Sequence, residues 1–242
     1  MSAESLKQLA PTGVLRAGVV VAPAASVFFA VEEGGKPRGV TVDLFNAFAE
    51  ELRLSLELKL FPNSGELTAA VARGDVDVAF MPQDAERAKS VDFGPAYYII
   101  ESTFLVPAGS KIRTLAESNF KGARAIVIAS TTTGRSAARF LTQGSIQEVR
   151  SVDEMTAMAR AGDGDLFALS RDAFATLLPA LPGARVLDGG FQQTGVASAV
   201  PKGRGDALKI FGGFVERVKS SGLVRRALDR AGFGEADVAP SA

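Results

Sequence analysis

The apolar and polar positions of this 242-residue chain follow two alternating periods. Segment 14–21 is an apolar run of strand length, and segment 54–60 alternates strictly, which is typical of a half-buried strand. Between them, segment 42–52 repeats its apolar residues at helical spacing and predicts an amphipathic helix. Strands that alternate with helices along the chain are typical of an α/β fold.

The same pattern continues to the end of the chain. It predicts further strands at 76–80, 102–106, 125–128, 165–169 and 196–200. It predicts further helices at 66–73, 133–141 and 152–160, and one or two closing helices within 205–231. We therefore expect strands and helices over nearly the whole length.

One segment is repeated inside the chain. Segment 73–80 is matched by segment 161–168, and in both a helix ends, a Gly-Asp turn follows and a buried strand begins. Two related βαβ lobes would produce this repeat, and so would a common helix-to-strand turn. Breaker residues at 107–109 and 201–203 follow strands and mark crossovers. We predict an outer lobe formed by 1–106 and 199–242, and an inserted central lobe at 107–198.

Composition restricts the chemistry that the chain can perform. It has 27 Lys and Arg against 27 Asp and Glu, and it has no His, Cys or Trp. Imidazole bases, thiolate nucleophiles, disulfides and His- or Cys-ligated metals are excluded. The absence of a basic run argues against nucleic acid as a partner. No segment approaches the roughly 20 apolar residues that span a bilayer. We predict no cofactor, no metal site and no membrane insertion, and a binding protein fits better than an enzyme.

Segments 74–80 and 86–98 resemble the family 3 extracellular solute-binding proteins, the polar amino-acid binders of ABC importers. That family shows G-x-x-D, then T-x-x-R or an equivalent, then V-D-F-S-x-P-Y. Segment 39–44 is similar to the family's helix entry after the first strand, and segment 115–122 is similar to the opening of its second lobe. The resemblance therefore extends over nearly the whole chain.

The resemblance implies a fold and a way of working. These proteins have the type II periplasmic-binding fold, in which two α/β lobes are joined by two crossover strands. The lobes close on a small solute, which is then presented to an ABC permease. The resemblance also implies a monomer, without a catalytic residue.

The resemblance aligns Arg87 with the arginine that holds the ligand carboxylate. A planar guanidinium suits a carboxylate because it donates two parallel hydrogen bonds. An exposed helix arginine paired with Asp84 is the alternative interpretation. The preceding loop, 81–84, is two residues shorter than in the typical amino-acid binder. We include Gln83 of this loop among the candidate ligand contacts.

Two further groups align with ligand-contacting positions. Ser130, Thr131, Thr132 and Thr133 align with a hydroxyl-rich loop at a helix N-terminus, where free backbone N–H groups attract anions. Ordinary capping explains part of this run but needs fewer hydroxyls. Phe28 and Phe29 follow the first strand, where the family has an aromatic residue against the ligand, although burial in the core is the common alternative.

The second lobe departs from the family at one position. The aspartate that pairs with the ligand's α-ammonium in amino-acid binders corresponds here to Ser170, which is followed by Arg171 and Asp172. A hydroxyl cannot replace a carboxylate opposite an ammonium, so we expect a ligand without a free α-amine unless Asp172 turns into the cleft. Arg171 is then a second candidate for an anionic group, and Gln192 is a candidate at the cleft rim.

Three functional hypotheses follow. The first is a solute receptor of an ABC importer that closes on a small organic solute, a carboxylate or another anion, and acts in the periplasm if a signal peptide is removed. The second is a cytoplasmic sensor or carrier with the same fold, if Met1 is the natural start. The third is a dehydratase-like enzyme that would use Asp84 or Asp172 as an acid or base in the same cleft.

Overall fold

The computed structural model of the protein describes residues 3–234 and 236–241. Its strands are β1 (Val14–Val20), β2 (Val31–Glu33), β3 (Lys36–Arg38), β4 (Ser55–Phe61), β5 (Val78–Pro82), β6 (Val91–Val106), β7 (Arg124–Ile128), β8 (Ser145–Val149), β9 (Leu166–Ser170), β10 (Arg185–Val186) and β11 (Gln192–Pro201). Its α-helices are α1 (Ala3–Leu9), α2 (Val40–Leu52), α3 (Ser64–Arg73), α4 (Leu115–Ser118), α5 (Thr132–Phe140), α6 (Val152–Ala161), α7 (Arg171–Leu177), α8 (Gly205–Ser220) and α9 (Leu223–Arg230). The α/β architecture predicted from the sequence is confirmed.

One mixed sheet runs through the molecule, in the order β4-β1-β5-β11-β6-β9-β7-β8, and β10 pairs with β6. Strands β4, β1 and β5 are parallel to one another, and so are β9, β7 and β8. The two long strands β6 and β11 are antiparallel to each other and join these halves. We call the half with β4, β1, β5 and helices α2, α3, α8 and α9 the outer lobe, and the half with β9, β7, β8 and helices α5 to α7 the central lobe.

Each lobe has its own hydrophobic packing. The outer core contains packed aromatic rings from three elements, and the ring centroid of Phe80 of β5 lies 5.0 Å from those of both Phe45 of α2 and Phe211 of α8. Strand β6 contributes Ile100 to this core and Phe104 to the central lobe. The packing therefore changes lobes between residues 100 and 104 of β6, whereas the boundaries at 106/107 and 198/199 stay a prediction.

The repeated Gly-Asp turn has the same hydrogen bonds in both lobes. In the outer lobe, the Asp77 carboxylate accepts from the Arg16 backbone N–H at 3.1 Å, and the Asp77 N–H donates to the Arg16 carbonyl at 2.8 Å. In the central lobe, Asp165 and Arg124 form the same two contacts at 2.8 and 3.0 Å. Each turn thereby fastens the start of one strand to its parallel neighbour.

Strand β6 is longer than the sequence predicted. The predicted strand 102–106 is only the end of the 16-residue β6, and Pro95 lies inside this strand. Opposite this stretch, the pairing with β11 shifts register at Val196/Ala197 and again at Ala197/Ala199. Such bulges let a proline, which has no N–H, remain inside a paired strand.

Candidate ligand-binding cleft

A cavity lies between the two lobes, where the parallel strands of both end. Its lining from the outer lobe and β6 consists of Phe28, Phe29, Pro62, Asn63, Ser64, Pro82 and Ile100. Its lining from the central lobe consists of Ile128, Thr131, Thr132, Thr133, Leu169 and Ser170. The carboxyl ends of parallel strands are the usual place for ligands in α/β sheets. The volume of this cavity is about 30 Å³, so an organic solute can enter only if the lobes move apart.

Arg87 lies immediately behind this lining. The residue is 3% exposed, and its guanidinium donates to the Pro82 carbonyl at 2.7 Å and to the Ser64 hydroxyl at 2.6 Å. A longer contact of 3.4 Å reaches the carbonyl of Ser130 in the central lobe. The Nε atom is buried and has no hydrogen-bond partner. Arg87 therefore retains a free donor next to the cleft.

The Asp84 carboxylate acts on the charge of Arg87 through space but is not in direct contact with its guanidinium. Within the described residues its guanidinium forms no ion pair, and Asp84 accepts from its backbone N–H at 2.8 Å instead. The alternative of an exposed arginine paired with Asp84 does not match this geometry. Burial lowers the pKa of Arg87 to about 9, so the group remains a cation at neutral pH.

The side chains of the hydroxyl-rich loop at the start of α5 have two roles, which are capping of the helix and contact with other elements. Thr131 is the N-cap, and its hydroxyl accepts from the Gly134 N–H at 3.0 Å. The other two threonine hydroxyls lie within reach of different elements, Thr132 at 2.8 Å from Asp84 and Thr133 at 3.0 Å from Ser102 of β6. Capping thus accounts for one hydroxyl, whereas Thr132 connects α5 to the outer lobe and Thr133 connects it to β6.

The lobes also come into close contact at Gly65 in the first turn of α3. A Cβ atom on Gly65 would lie 2.6 Å from the Cβ of Ser130 and 3.1 Å from its carbonyl oxygen. Ser130 has a φ of 58°, a left-handed conformation that is uncommon for a residue with a side chain. The close contact of the lobes therefore requires a glycine at this position of the outer lobe.

Phe28 and Phe29 lie at the cleft with their ring centroids 5.3 Å apart. Phe28 is buried in the outer core, and Phe29 packs against hydrophobic clusters of both lobes. The hydroxyl of Ser26 accepts from both backbone N–H groups, at 3.0 and 2.7 Å, and fixes the turn that carries them. Both rings line the cavity and also contribute to core packing.

Asp172 connects the lobes at another edge of the cleft. Its carboxylate accepts from the Val27 N–H of the outer lobe at 2.9 Å, and the Thr176 hydroxyl of the same helix donates to the Ala25 carbonyl at 2.7 Å. Burial raises the pKa of Asp172, against the effect of the N–H groups that it accepts from. Tyr97, at the base of this edge, donates to the Val27 carbonyl. Asp172 does not belong to the cavity lining.

Six of the eleven predicted site residues line the cavity: Phe28, Phe29, Thr131, Thr132, Thr133 and Ser170. Arg87 lies directly behind the lining, and the carbonyl of the exposed Ser130 is 3.4 Å from its guanidinium. Arg171 is instead paired with Glu101 at 2.7 Å and donates to two carbonyls away from the cavity.

The two predicted glutamines also lie outside the lining. The backbone of Gln83 bonds to β11 through the Gly195 carbonyl at 2.9 Å. Gln192 is on β11 opposite Ser102, and its buried Oε1 has no hydrogen-bond partner.

Sequence reasoning missed several residues that shape the cleft. Asn63 caps α3 and donates across the cleft to the Arg150 carbonyl at 2.9 Å, and Ser64 accepts from Arg87. The Asn-Ser-Gly sequence at 63–65 carried a helix-start signal, but nothing in it indicates contact with the other lobe. The ion pair of Asp84 with Arg135 also crosses the cleft.

Comparisons with known proteins agree with this architecture. The chain is 25% identical over 207 residues to the L-arginine-binding protein of Pseudomonas aeruginosa, a match that covers 81% of this chain and 80% of that protein. It is 32% identical over 106 residues to the membrane-bound lytic murein transglycosylase F of Vibrio cholerae, over 43% of this chain and only 19% of that enzyme.

A solved structure shows the same fold over the whole length. The amino acid ABC transporter substrate-binding protein AbpA of Streptococcus pneumoniae, bound to L-arginine, superposes with a TM-score of 0.82 at 18% identity, covering 96% of this chain and 99% of that one. The predicted type II periplasmic-binding fold is thereby confirmed. The model of the bacterial extracellular solute-binding proteins, family 3, matches residues 18–234. The chain belongs to this family.

Proposed function

We propose that the protein is the solute receptor of an ABC importer and that it closes on a small carboxylate without a free α-ammonium group. The observation that carries this proposal is Arg87, a buried cation with an unpartnered Nε next to the cleft. A buried cation is costly unless an anion accompanies it. A ligand carboxylate bound beside Ser64 and Thr131 would provide that anion.

The opposite end of the cleft supports the absence of an amine. No acidic residue belongs to the cavity lining, as far as the described residues extend. Ser170 stands where the family's ammonium-binding aspartate is expected, and Asp172 is directed to the Val27 N–H. An ammonium would therefore lose its water without gaining a carboxylate. The rest of the lining is apolar or carries hydroxyls, which suits a short aliphatic body.

Calorimetric titration with matched solutes tests this proposal. Propionate and pyruvate have the three carbons of alanine and lack its ammonium, so we expect both to bind at least tenfold more tightly than L-alanine. A thermal-shift screen should rank the three in the same order, because a ligand of the folded state raises the melting temperature.

An arginine variant and a matched control complete the test. Arg87→Met should abolish carboxylate binding, whereas Arg113→Met, which removes an exposed arginine, should bind like the wild type. Tighter binding of alanine than of propionate and pyruvate would contradict the missing-ammonium argument. Unchanged binding in a folded Arg87→Met protein would contradict the role of Arg87.

The importer role and location need a separate experiment. Among the residues that the structure describes, no helix is long and apolar enough to cross a membrane. We propose a periplasmic location and a permease partner because of the family. Cells that lack the gene should lose uptake of the labelled solute, and the Arg87→Met gene should not restore it. Binding without any effect on uptake would favour a cytoplasmic sensor or carrier.

A further inference from the structure

The carboxylate of Asp84, from the outer lobe, binds to a positively charged site on the central lobe. Asp84 follows β5 of the outer lobe, and its Oδ2 accepts from the Thr132 hydroxyl at 2.8 Å and pairs with the Arg135 guanidinium. Thr132 and Arg135 both lie in the first turn of α5 in the central lobe. The Asp84 side chain is 14% exposed and that of Arg135 29%, so water has limited access to the pair.

The surroundings of Asp84 stabilise its charged form. Burial acts to raise the pKa of Asp84, but hydrogen bonds from the Arg87 N–H, Arg135 and Thr132 outweigh it, so the pKa is lowered. The first turn of a helix adds a favourable field for an anion. A cation, a hydroxyl and a helix N-terminus together form a complete anion position, and the protein fills it with its own side chain.

We propose that Asp84 is a specificity-determining residue that restricts the cleft to solutes with one acidic group. This inference rests on the proposed function, in which Arg87 receives the ligand carboxylate. With Arg135 neutralised by Asp84, and Arg171 by Glu101, Arg87 is the cation of the cleft left for a solute among the described residues. A second ligand carboxylate near α5 would meet the charge of Asp84 and be repelled.

The ion pair between Asp84 and Arg135 also stabilises the closed arrangement of the two lobes. Its two charges belong to different lobes, so the contact at Asp84 is lost when the lobes separate. In a dicarboxylate receptor, a second carboxylate of the solute would connect the lobes at this point. Here Asp84 makes that connection, and the solute needs only the carboxylate at Arg87.

The test compares two probes of four carbons, butyrate and succinate, by calorimetric titration. We expect the wild type to prefer butyrate. Asp84→Ala frees Arg135 and Thr132, and should bind succinate at least tenfold more tightly than the wild type does. Adding Arg135→Gln should remove this gain. Glu86→Gln is the matched control, because Glu86 is exposed, lies two residues away and, within the described part of the chain, forms its ion pair with the nearby Lys89.

The outcomes separate this inference from the proposed function. If butyrate binds but Asp84→Ala gains nothing for succinate, the inference about Asp84 is wrong and the receptor function stands. If neither probe binds the folded wild type or the folded variant, both are wrong.

Small-angle scattering without solute provides a second measurement. The radius of gyration should increase in Asp84→Ala and stay at the wild-type value in Glu86→Gln. An unchanged radius in Asp84→Ala would overturn the cross-lobe pairing.

Discussion

The same Gly-Asp turn stands at the base of each lobe, but the two turns have different surroundings. Asp77 of the outer lobe is fully buried and accepts from the guanidinium of Arg16 at 2.6 and 2.8 Å and from that of Arg204 at 2.9 Å. Asp165 of the central lobe is partly exposed and accepts from the Arg124 backbone N–H. The Arg124 side chain pairs with Asp163 instead.

The difference reflects the path of the chain. The outer lobe is built from both ends of the sequence. Asp77 directly precedes β5, and it joins this strand to Arg16 on β1 and to Arg204 before α8. The elements assigned to the central lobe, from β7 to α7, follow one another along the chain, so its turn needs to join only neighbouring strands. A repeated local motif can thus carry an added structural role where the topology separates the segments of one lobe.

Removing the Asp77 charge should have the largest effect. We expect Asp77→Asn to lower the free energy of unfolding by about 3 kcal/mol, since breaking a buried ion pair leaves charges unbalanced. The value should stay at the low end of the usual range because Arg16 and Arg204 keep 16% and 24% exposure. Denaturant unfolding measures it. A loss below that of Asp165→Ala would contradict the comparison.

Asp165→Ala should cost less. It leaves the Arg124 N–H without its carboxylate, which costs about 1–3 kcal/mol for a buried donor, and we expect the lower end because Asp165 is partly exposed. The same denaturant measurement applies, and the aromatic core of the outer lobe should remain intact in near-ultraviolet spectra. If Asp165→Ala destabilised the protein as much as Asp77→Asn, the joining role of Asp77 would be refuted.

The glycines of the two turns should behave alike. Gly74 and Gly162 have φ values of 76° and 67°, and an alanine at either would pay the left-handed penalty of about 1 kcal/mol. A Cβ at Gly74 would lie 3.3 Å from Nη2 of Arg204, and one at Gly162 would have no heavy atom within 4 Å. We therefore expect similar decreases in melting temperature for Gly74→Ala and Gly162→Ala. Clearly unequal decreases would mean that the backbones of the two turns differ in the cost of a left-handed alanine.

The smallest effect concerns pH and extends the comparison to the cleft. The pKa of Asp84, from the outer lobe, is lowered, so its contribution to stability is present above the ordinary carboxyl pKa and is lost as the pH falls through its lowered value. The pKa of Asp172, from the central lobe, is raised by burial, so stability falls as the pH rises from the ordinary value to the raised one. The free energy of unfolding, measured as a function of pH, should no longer show the decline caused by Asp172 in the Asp172→Asn variant. A wild-type decline that persists there would contradict the assignment.

Much of the fold was readable from the sequence because local signals agreed with the tertiary structure. The apolar spacing of α2 and the alternation of β4 predicted both elements to within a few residues. Strand β8 (Ser145–Val149) was missed because its burial pattern shows no regular alternation. Helix α7 was missed because it begins at Arg171, directly after β9, without a turn signal.

The cleft was less readable than the fold. A resemblance aligns residues one by one, so it pointed to Arg87 and Thr132, which the structure places at the cavity between the lobes. It carried no information on which charges pair with one another. The sequence therefore presented Arg171 as a free cation, although Glu101 neutralises it, and left the contact between Gly65 and Ser130 invisible. Contacts between segments far apart in the chain decide these points.

The continuous ladder between β6 and β11 has a consequence for how the lobes move. The strands remain paired from Gln192 opposite Ser102 to Pro201 opposite Val91, through the region where the packing changes lobes. Opening can then occur by added twist of the paired strands near Gln192 and Thr194, opposite Ser102 and Ile100, without breaking the ladder. We expect the backbone amides of this hinge to exchange with deuterium as slowly as those of a core strand, while the amides at the lobe contacts exchange quickly.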